Sequence, residues 1–212
     1  MTFVMKKSFI ARSATLALAA CAAGAAYAES DINVGAGSPL TASARLDFRI
    51  TIPKVIYLRV GAGTALADNA AINLIDFAPA AAVLGNGTAV AATAGSGDLG
   101  NGAVTAQVIG NNGTITFTST TAGALGNGAG DTISYSQIGT AVATLTSATA
   151  LAHPALADGA TTTLTLAPAT GKVINRDARW TYTYLNTAVP AAGTYGGINT
   201  NNGRVTYTAS MP

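Results

Sequence analysis

The stretch that decides the fold reads Arg179-Trp180-Thr181-Tyr182-Thr183-Tyr184. Aromatic and polar residues alternate along it, and side chains two positions apart share one face of a β-strand. The three aromatic side chains therefore lie together, and the arginine and threonines are left for water. Because one aromatic side chain buries roughly 150–250 Å², we expect this face to form core. An exposed aromatic face would instead stack on sugar rings.

The same two-residue period recurs along the rest of the chain. Its longest example is 45–52, and it predicts a half-buried strand. The alternating apolar residues there are Leu46, Phe48, Ile50 and Ile52. Pro53 follows and lacks an N–H donor, so it marks an edge or a break. Further strands are predicted at 55–60, 72–77, 103–109, 114–120, 131–136, 161–166, 178–185 and 203–210.

Asn-Gly pairs mark the turns, because both residues tolerate the positive φ of tight turns. Three of the pairs lie in a repeated Leu-Gly-Asn-Gly at 84–87, 99–102 and 125–128. The unequal spacing of the repeat indicates a recurring turn and not a solenoid. A further pair, at 112, predicts a β-hairpin over 103–118. Many short strands and no sustained helical period indicate an all-β fold, a single antiparallel β-sandwich of about eight or nine strands.

The N-terminus has the three parts of an export signal. Basic residues precede an apolar run at 13–25 that is too short to span a bilayer. Ala26-Tyr27-Ala28 then fits a cleavage site, which predicts a mature chain that begins at Glu29. We therefore expect a signal peptide at 1–28, a flexible arm at 29–42 and the sandwich at 43–212.

Cys21 keeps a second interpretation open. Residues 18–21 also fit the signal of a bacterial lipoprotein, in which Cys21 carries the lipid. The small apolar residues at 22–28 argue against it, since a polar tether is usual there. Cleavage after Ala28 leaves no cysteine, so burial and not disulfide bonds must stabilise the fold.

Charge is scarce in this sequence. Charged residues make up 9% of it, against roughly a quarter in a typical soluble domain. After cleavage eight basic and nine acidic residues remain, and none of the basic ones lies between Val60 and Gly171. Such a chain lacks the basic patch that nucleic-acid binding requires. It is also too apolar to be a disordered chain.

The arm carries a short alternation of its own, in which Ile32 and Val34 follow polar residues. A glycine-rich hinge at 35–37 separates it from the first long strand. Extended segments of this kind add to the sheet edge of a neighbouring subunit through main-chain hydrogen bonds. We therefore regard Ile32 and Val34 as a candidate donor strand, with a disordered tether as the alternative.

Residues that perform chemistry are few. His153 is the only histidine, in a small polar loop, and we expect its replacement to leave stability unchanged. The aspartates are scattered singly, without the spacing of a zinc or EF-hand site. Residues 95–100 match G-x-G-x-x-G but lack the strand before and the helix after that a dinucleotide site needs. We expect no catalytic residue, no cofactor and no metal.

The C-terminal residues resemble a known kind of subunit. The strand at 179–184, the corner Gly193-Thr194-Tyr195 and the final strand at 204–209 resemble the closing hairpin of secreted bacterial Ig-like sandwiches. Fimbrial subunits of the spore coat protein U type are similar, and the stretch 103–118 resembles their central hairpin. Those families often carry a cysteine pair, which this chain lacks after cleavage at Ala28.

The resemblance implies an exported structural or adhesive protein of the cell surface or fimbrium. Its expected partners are copies of itself, other surface subunits and a periplasmic chaperone, with assembly by strand exchange. The alternative is an envelope-associated carbohydrate-binding module or an outer-membrane lipoprotein. Membrane contact is expected only through the signal peptide or, in the alternative, a lipid on Cys21. An open groove favours the first function, and an exposed aromatic stripe favours the second.

Cleavage after Ala28 is directly testable. Small residues at 26 and 28 fit the signal peptidase, so mass spectrometry of the exported protein should find Glu29 at its N-terminus. A diacylated or triacylated Cys21 would contradict this and support the lipoprotein interpretation.

Overall fold

The computed structural model describes residues 29–212. The predicted signal at 1–28, with Cys21 and the cleavage residues Ala26 and Ala28, lies outside the described residues. No helix within 29–212 is both long enough and apolar enough to cross a membrane. All strands in this range belong to a compact part that runs from Ile52 to Pro212.

The compact part contains ten β-strands. They are β1 (Ile56–Val60), β2 (Val90–Ala91), β3 (Ala103–Gly110), β4 (Ile115–Thr121), β5 (Leu125–Gly126), β6 (Thr132–Ile133), β7 (Ile138–Ala143), β8 (Thr161–Leu166), β9 (Ile174–Tyr184) and β10 (Val205–Ser210). Two short 3-10 turns, Ala81–Val83 and Tyr135–Gln137, complete its regular structure. The count exceeds the predicted eight or nine because three of the strands have only two residues.

The strands form two sheets and a ribbon, with antiparallel pairing throughout. In the five-stranded sheet β9 pairs with β2, β3 and β7, and β1 pairs with β3. The three-stranded sheet has the order β10-β4-β8. β5 and β6 form the ribbon. The prediction of an all-β, antiparallel fold is confirmed, and the arrangement is consistent with a β-sandwich.

Trp180 lies in the core between the two sheets. Its side chain is fully buried, and its ring stacks on Phe117 of β4 with the ring centroids 6.1 Å apart. The indole N–H donates a 2.8 Å hydrogen bond to the carbonyl of Leu151, so its polar atom is satisfied. Tyr182 and Tyr184 are buried beside it. The aromatic face of 179–184 is therefore core, as predicted.

Two predicted hairpins are wrong, although their strands are right. β3 and β4 are consecutive, but β3 belongs to the five-stranded sheet and β4 to the three-stranded one. β9 and β10 are separated in the same way. Each of these strands has one apolar face, and two such faces bury each other when the strands lie in opposite sheets. The chain therefore arches between the sheets at 111–114 and at 185–204.

The repeated Leu-Gly-Asn-Gly lies at turns, although in the third copy Leu125 and Gly126 form β5 and the turn follows them. Its final glycine has almost the same left-handed backbone at each occurrence, with φ of 77° at Gly87, 75° at Gly102 and 77° at Gly128. Only glycine adopts this conformation without a steric cost.

Two predicted strands are shorter or looser than expected. Residues 72–77 are extended but form no ladder, because they bond to a loop: the N–H of Thr93 donates to Asp76 O, and the N–H of Asp76 donates to the Ser96 hydroxyl. The strand predicted at 131–136 stops after Ile133. There the Ser134 hydroxyl accepts the N–H of Ser136 and caps a 3-10 turn.

The prediction of a half-buried strand at 45–52 is wrong. These residues carry no assigned strand, and the side chains of Leu46, Phe48, Ile50 and Ile52 are exposed. Among the described residues no strand pairs with this segment, so it has no ladder to join.

Hydroxyl groups cover the outer face of the three-stranded sheet. Register pairs them into rows across the sheet, so that Thr208 lies beside Thr118 and Thr118 beside Thr163. All nine outward positions are threonine or serine: Thr116, Thr118, Thr120, Thr161, Thr163, Thr165, Thr206, Thr208 and Ser210.

Replacement of Trp180 should reveal its contribution to the core. Trp180→Ala removes a fully buried ring and its hydrogen bond to Leu151, so the free energy of unfolding should fall by about 3–5 kcal/mol. Urea titration measures this loss. The neighbouring Arg179→Ala, on the exposed face of the same strand, should stay within about 0.5 kcal/mol of the unaltered protein. Equal losses of unfolding free energy in both variants would contradict the assignment of Trp180 to the core.

Candidate functional site: an apolar groove between the sheets

An apolar groove opens between the edges of the two sheets. It consists of a cavity of about 660 Å³ and a second of about 390 Å³, and both are lined by Val60, Arg204, Val205 and Tyr207. The remaining lining comes from the five-stranded sheet, from the segment 72–77 and from the loop 190–199 that precedes β10, with further residues from other loops. It includes Leu58, Leu74, Ile75, Phe77, Val104, Ile138, Tyr182 and Tyr184.

One side of the groove is an unpaired strand edge. Within residues 29–212, β10 pairs only with β4, and β1 pairs only with β3. The core-facing side chains Val205 and Tyr207 of β10 are only half-buried, whereas Ile115 and Phe117 of β4 are completely buried. The free main-chain groups and incomplete burial of β10 mark an open edge. This edge lies close to β1 of the other sheet, so a strand added beside β10 would have to part the two edges.

The segment 72–77 forms the opposite wall. Its burial alternates, with Ile75 and Phe77 half-buried against the core and Leu74 exposed. The ring of Phe77 packs near that of Tyr184, with centroids 6.3 Å apart. Hydrogen bonds to the loop at 93–97 hold this wall, and they fix its distance from β9.

Charge is almost absent from the groove. Asp76 and Arg204 are the charged residues among those that line it, and the other lining residues are apolar or uncharged. A surface of this chemistry, bordered by a free strand edge, fits an extended segment that offers main-chain hydrogen bonds and alternating apolar side chains.

The segment 29–51 has polar contacts within itself. Arg45 forms an ion pair with Glu29 at 2.7 Å, and the N–H of Ser43 donates to Asp31 at 3.3 Å. The hydrogen bond from Arg45 lowers the pKa of Glu29. These contacts are exposed to water and contribute little stability. The candidate donor residues Ile32 and Val34 are 85% and 86% exposed.

Apolar exposure of similar degree continues after the arm. Phe48 and Ile50 are each 85% exposed, and Ile52 is 76% exposed. Contiguous apolar surface of this kind is uncommon on soluble proteins and marks an interaction site. We call residues 45–52 the apolar segment.

Asn111 fixes the linker that joins the apolar segment to β1. Its side-chain amide donates to Pro53 O at 2.7 Å, and its side-chain oxygen accepts the N–H of Val55 at 2.8 Å. Its own main-chain N–H donates to Val55 O. A tight turn at 53–55 would have to break these hydrogen bonds.

His153 lies beneath the groove, and the expectation that it is an incidental residue of a polar loop is wrong. Its Nε2 is 2.7 Å from the hydroxyl of Tyr207 and 3.1 Å from that of Tyr182. The two hydroxyls are themselves 3.1 Å apart. The imidazole also meets Trp180 edge-on, with ring centroids 4.6 Å apart. We call His153, Tyr182 and Tyr207 the His–Tyr cluster.

Asp177 positions the loop that carries His153. Its carboxylate accepts the N–H groups of Thr146 and Ser147, each at 2.9 Å, and its carbonyl accepts the N–H of Leu151. Burial works to raise the pKa of Asp177, but the hydrogen bonds from Ser147 and Thr146 outweigh it and lower the pKa to about 2. The loop is therefore anchored to β9 just before it reaches His153.

The His–Tyr cluster is uncharged at neutral pH. Burial lowers the pKa of His153 to about 4, against a smaller opposing effect of a hydrogen bond with the Pro154 backbone. Burial also raises the pKa of Tyr182 to about 12 and that of Tyr207 well above its usual value. In each group desolvation disfavours the charged form, so the cluster holds three neutral groups in mutual hydrogen-bond contact.

Other sequence features carry no site geometry. Within residues 29–212 no three His, Cys, Asp or Glu side chains come together as metal ligands. Residues 95–100 form turns that lead into β3 and not into a helix, so they lack the geometry of a dinucleotide site.

Comparison with known proteins adds no relative. A scan against protein-family models and searches of curated proteins and of solved structures found no match for this chain. The functional argument therefore depends on the groove, the apolar segment and the His–Tyr cluster.

The His–Tyr cluster should make stability depend on pH. The pKa of His153 is about 4 in the folded chain and about 6.5 in an unfolded one, so the unfolded state binds more protons between these values. Stability should be complete above about pH 6.5 and fall towards pH 4, by an amount on the order of 3 kcal/mol.

Urea titrations across this range test the dependence on His153. His153→Gln, which cannot take up a proton, should lack this fall. An equal fall in the variant would assign the effect to other groups. Asp177 has a lowered pKa, so its contribution is lost only at more acidic pH, between about 4 and 2.

Proposed function

We propose that this protein is an exported structural subunit of the cell surface, an Ig-like, pilin-like sandwich that assembles by strand exchange. One observation carries the proposal: the chain has both an apolar groove beside an unpaired strand edge and an exposed segment with the matching alternation. The apolar segment of one copy fills the groove of the next.

The dimensions support this pairing. Eight extended residues span about 26 Å, and alternate side chains on one face repeat about every 6.6 Å. β10 has six residues, about 20 Å in length, so the apolar segment covers its whole edge. Leu46, Phe48, Ile50 and Ile52 would face the groove, and the polar residues between them would face water.

The energetic gain comes from burial. Each large apolar side chain that moves from water into the core contributes about 1.5–3 kcal/mol. The same insertion supplies hydrogen-bond partners for the free edge of β10. Association costs part of this gain through lost translational and rotational freedom.

The linker favours exchange over self-insertion. To enter its own groove, the apolar segment would have to turn at 53–55, where Asn111 holds Pro53 and Val55 by hydrogen bonds. A second copy provides the segment without breaking these bonds.

Ile32 and Val34 are the alternative donor. They show the same exposure, but they offer two apolar side chains where the apolar segment offers four. Fewer side chains bury less area, so we propose 45–52 as the principal donor.

An unassembled subunit leaves an apolar groove and an apolar segment in water, and both invite aggregation. A periplasmic chaperone that lends a strand to the groove would protect it until assembly. This is the partner that the proposed function requires besides a second copy.

A matched pair of substitutions tests the donor. Ile50→Asp places a charge on the groove-facing side, so we expect a soluble subunit that forms no filaments, because a buried unpaired charge is costly. Thr51→Asp adds the same charge on the opposite face and should assemble normally. Negative-stain microscopy and sedimentation velocity measure both.

The double variant Ile32→Asp/Val34→Asp distinguishes the two donors. Filaments from this variant, and none from Ile50→Asp, support the apolar segment. The reverse result assigns donation to the arm. Absence of filaments from the unaltered protein in the presence of its own surface partners would contradict assembly by strand exchange.

A further inference from the structure

We propose that His153 makes occupancy of the groove sensitive to acid, so that uptake of one proton by this residue releases the inserted strand. This inference rests on the proposed function and adds a regulation to the same groove.

The geometry connects His153 to the groove through two tyrosines. Tyr182 of β9 and Tyr207 of β10 both line the groove, and His153 touches both hydroxyls from behind. Because β9 and β10 belong to different sheets, the imidazole is a polar link between the sheets at the groove floor. An inserted strand packs on the tyrosine rings and removes their water.

Hydrogen-bond counting shows why a proton matters. When Nε2 of the neutral ring accepts, Tyr207 donates to it and Tyr182 donates to Tyr207, so both hydroxyl protons are satisfied within the cluster. In imidazolium both ring nitrogens are donors. At least one tyrosine O–H must then find an acceptor elsewhere. An apolar side chain in the groove offers no such acceptor.

No acid compensates the charge within the cluster. Tyr182 faces His153 from β9 and Tyr207 faces it from β10, with Trp180 edge-on to the ring. Tyr135 donates its hydroxyl to Asn202 O and is not a partner of the imidazole. Asp76 and Arg204 line the groove, and no hydrogen bond joins either of them to His153 in the described chain. Strand insertion therefore raises the free energy of the protonated ring more than that of the neutral ring.

The test uses the Ile50→Asp variant of the exported protein, whose own segment should not donate, and a synthetic peptide of residues 43–53 as the probe. NMR titration gives the pKa of the His153 imidazole with and without peptide. We expect a lower pKa when the peptide is bound. The peptide affinity should then fall on acidification, by up to about tenfold per pH unit between the two values.

Addition of His153→Gln to this variant is the control. The glutamine amide remains neutral, so the peptide should still bind at pH 7. Its affinity should no longer show the fall on acidification that His153 causes. If the same step persists, a group other than His153 is responsible and the proposal is overturned. The NMR titration needs no substitution at His153 and decides the question even when His153→Gln fails to fold.

The outcomes separate the two proposals. Peptide binding with an unchanged imidazole pKa overturns the acid switch and leaves strand exchange intact. Failure of the peptide to bind at pH 7 overturns strand exchange by this segment, and the acid switch with it.

Discussion

Contact between the Trp180 ring and Phe117 joins the two sheets, and the groove depends on this contact. Trp180 lies on the strand that carries Tyr182, and its indole N–H holds Leu151, two residues before His153. One buried side chain therefore sets the separation of the sheets, the position of the loop and the floor of the groove. Rigid packing of this kind concentrates stability in the core, so the strand edge at the groove can stay unpaired.

The core was predictable from sequence because it follows from a local period. Alternation at 179–184 identifies the buried face of β9, and the same logic identifies β4 and β8. The pairing of the strands was not predictable. A two-residue period shows which face of a strand is apolar, but it does not show which sheet the strand joins. Val104 and Phe117 flank a short turn, as in a hairpin, yet lie in different sheets.

The site was harder to predict because it is built from distant residues. His153 contacts tyrosines 29 and 54 positions away, and its neighbours in sequence are small. The apolar segment gives the opposite lesson: its pattern predicts a buried face, but the described residues of its own chain do not bury it. An alternating pattern shows which side chains share a face and does not show what covers that face.

The hydroxyl-bearing outer face of the three-stranded sheet has a consequence for the surroundings that the protein tolerates. Threonine and serine bind water through uncharged groups, and dissolved ions screen charges, not hydroxyls. This face therefore stays equally hydrated in dilute and in saline media. A contact made through this face would involve no charged side chains of the nine outward positions, so salt would not screen it.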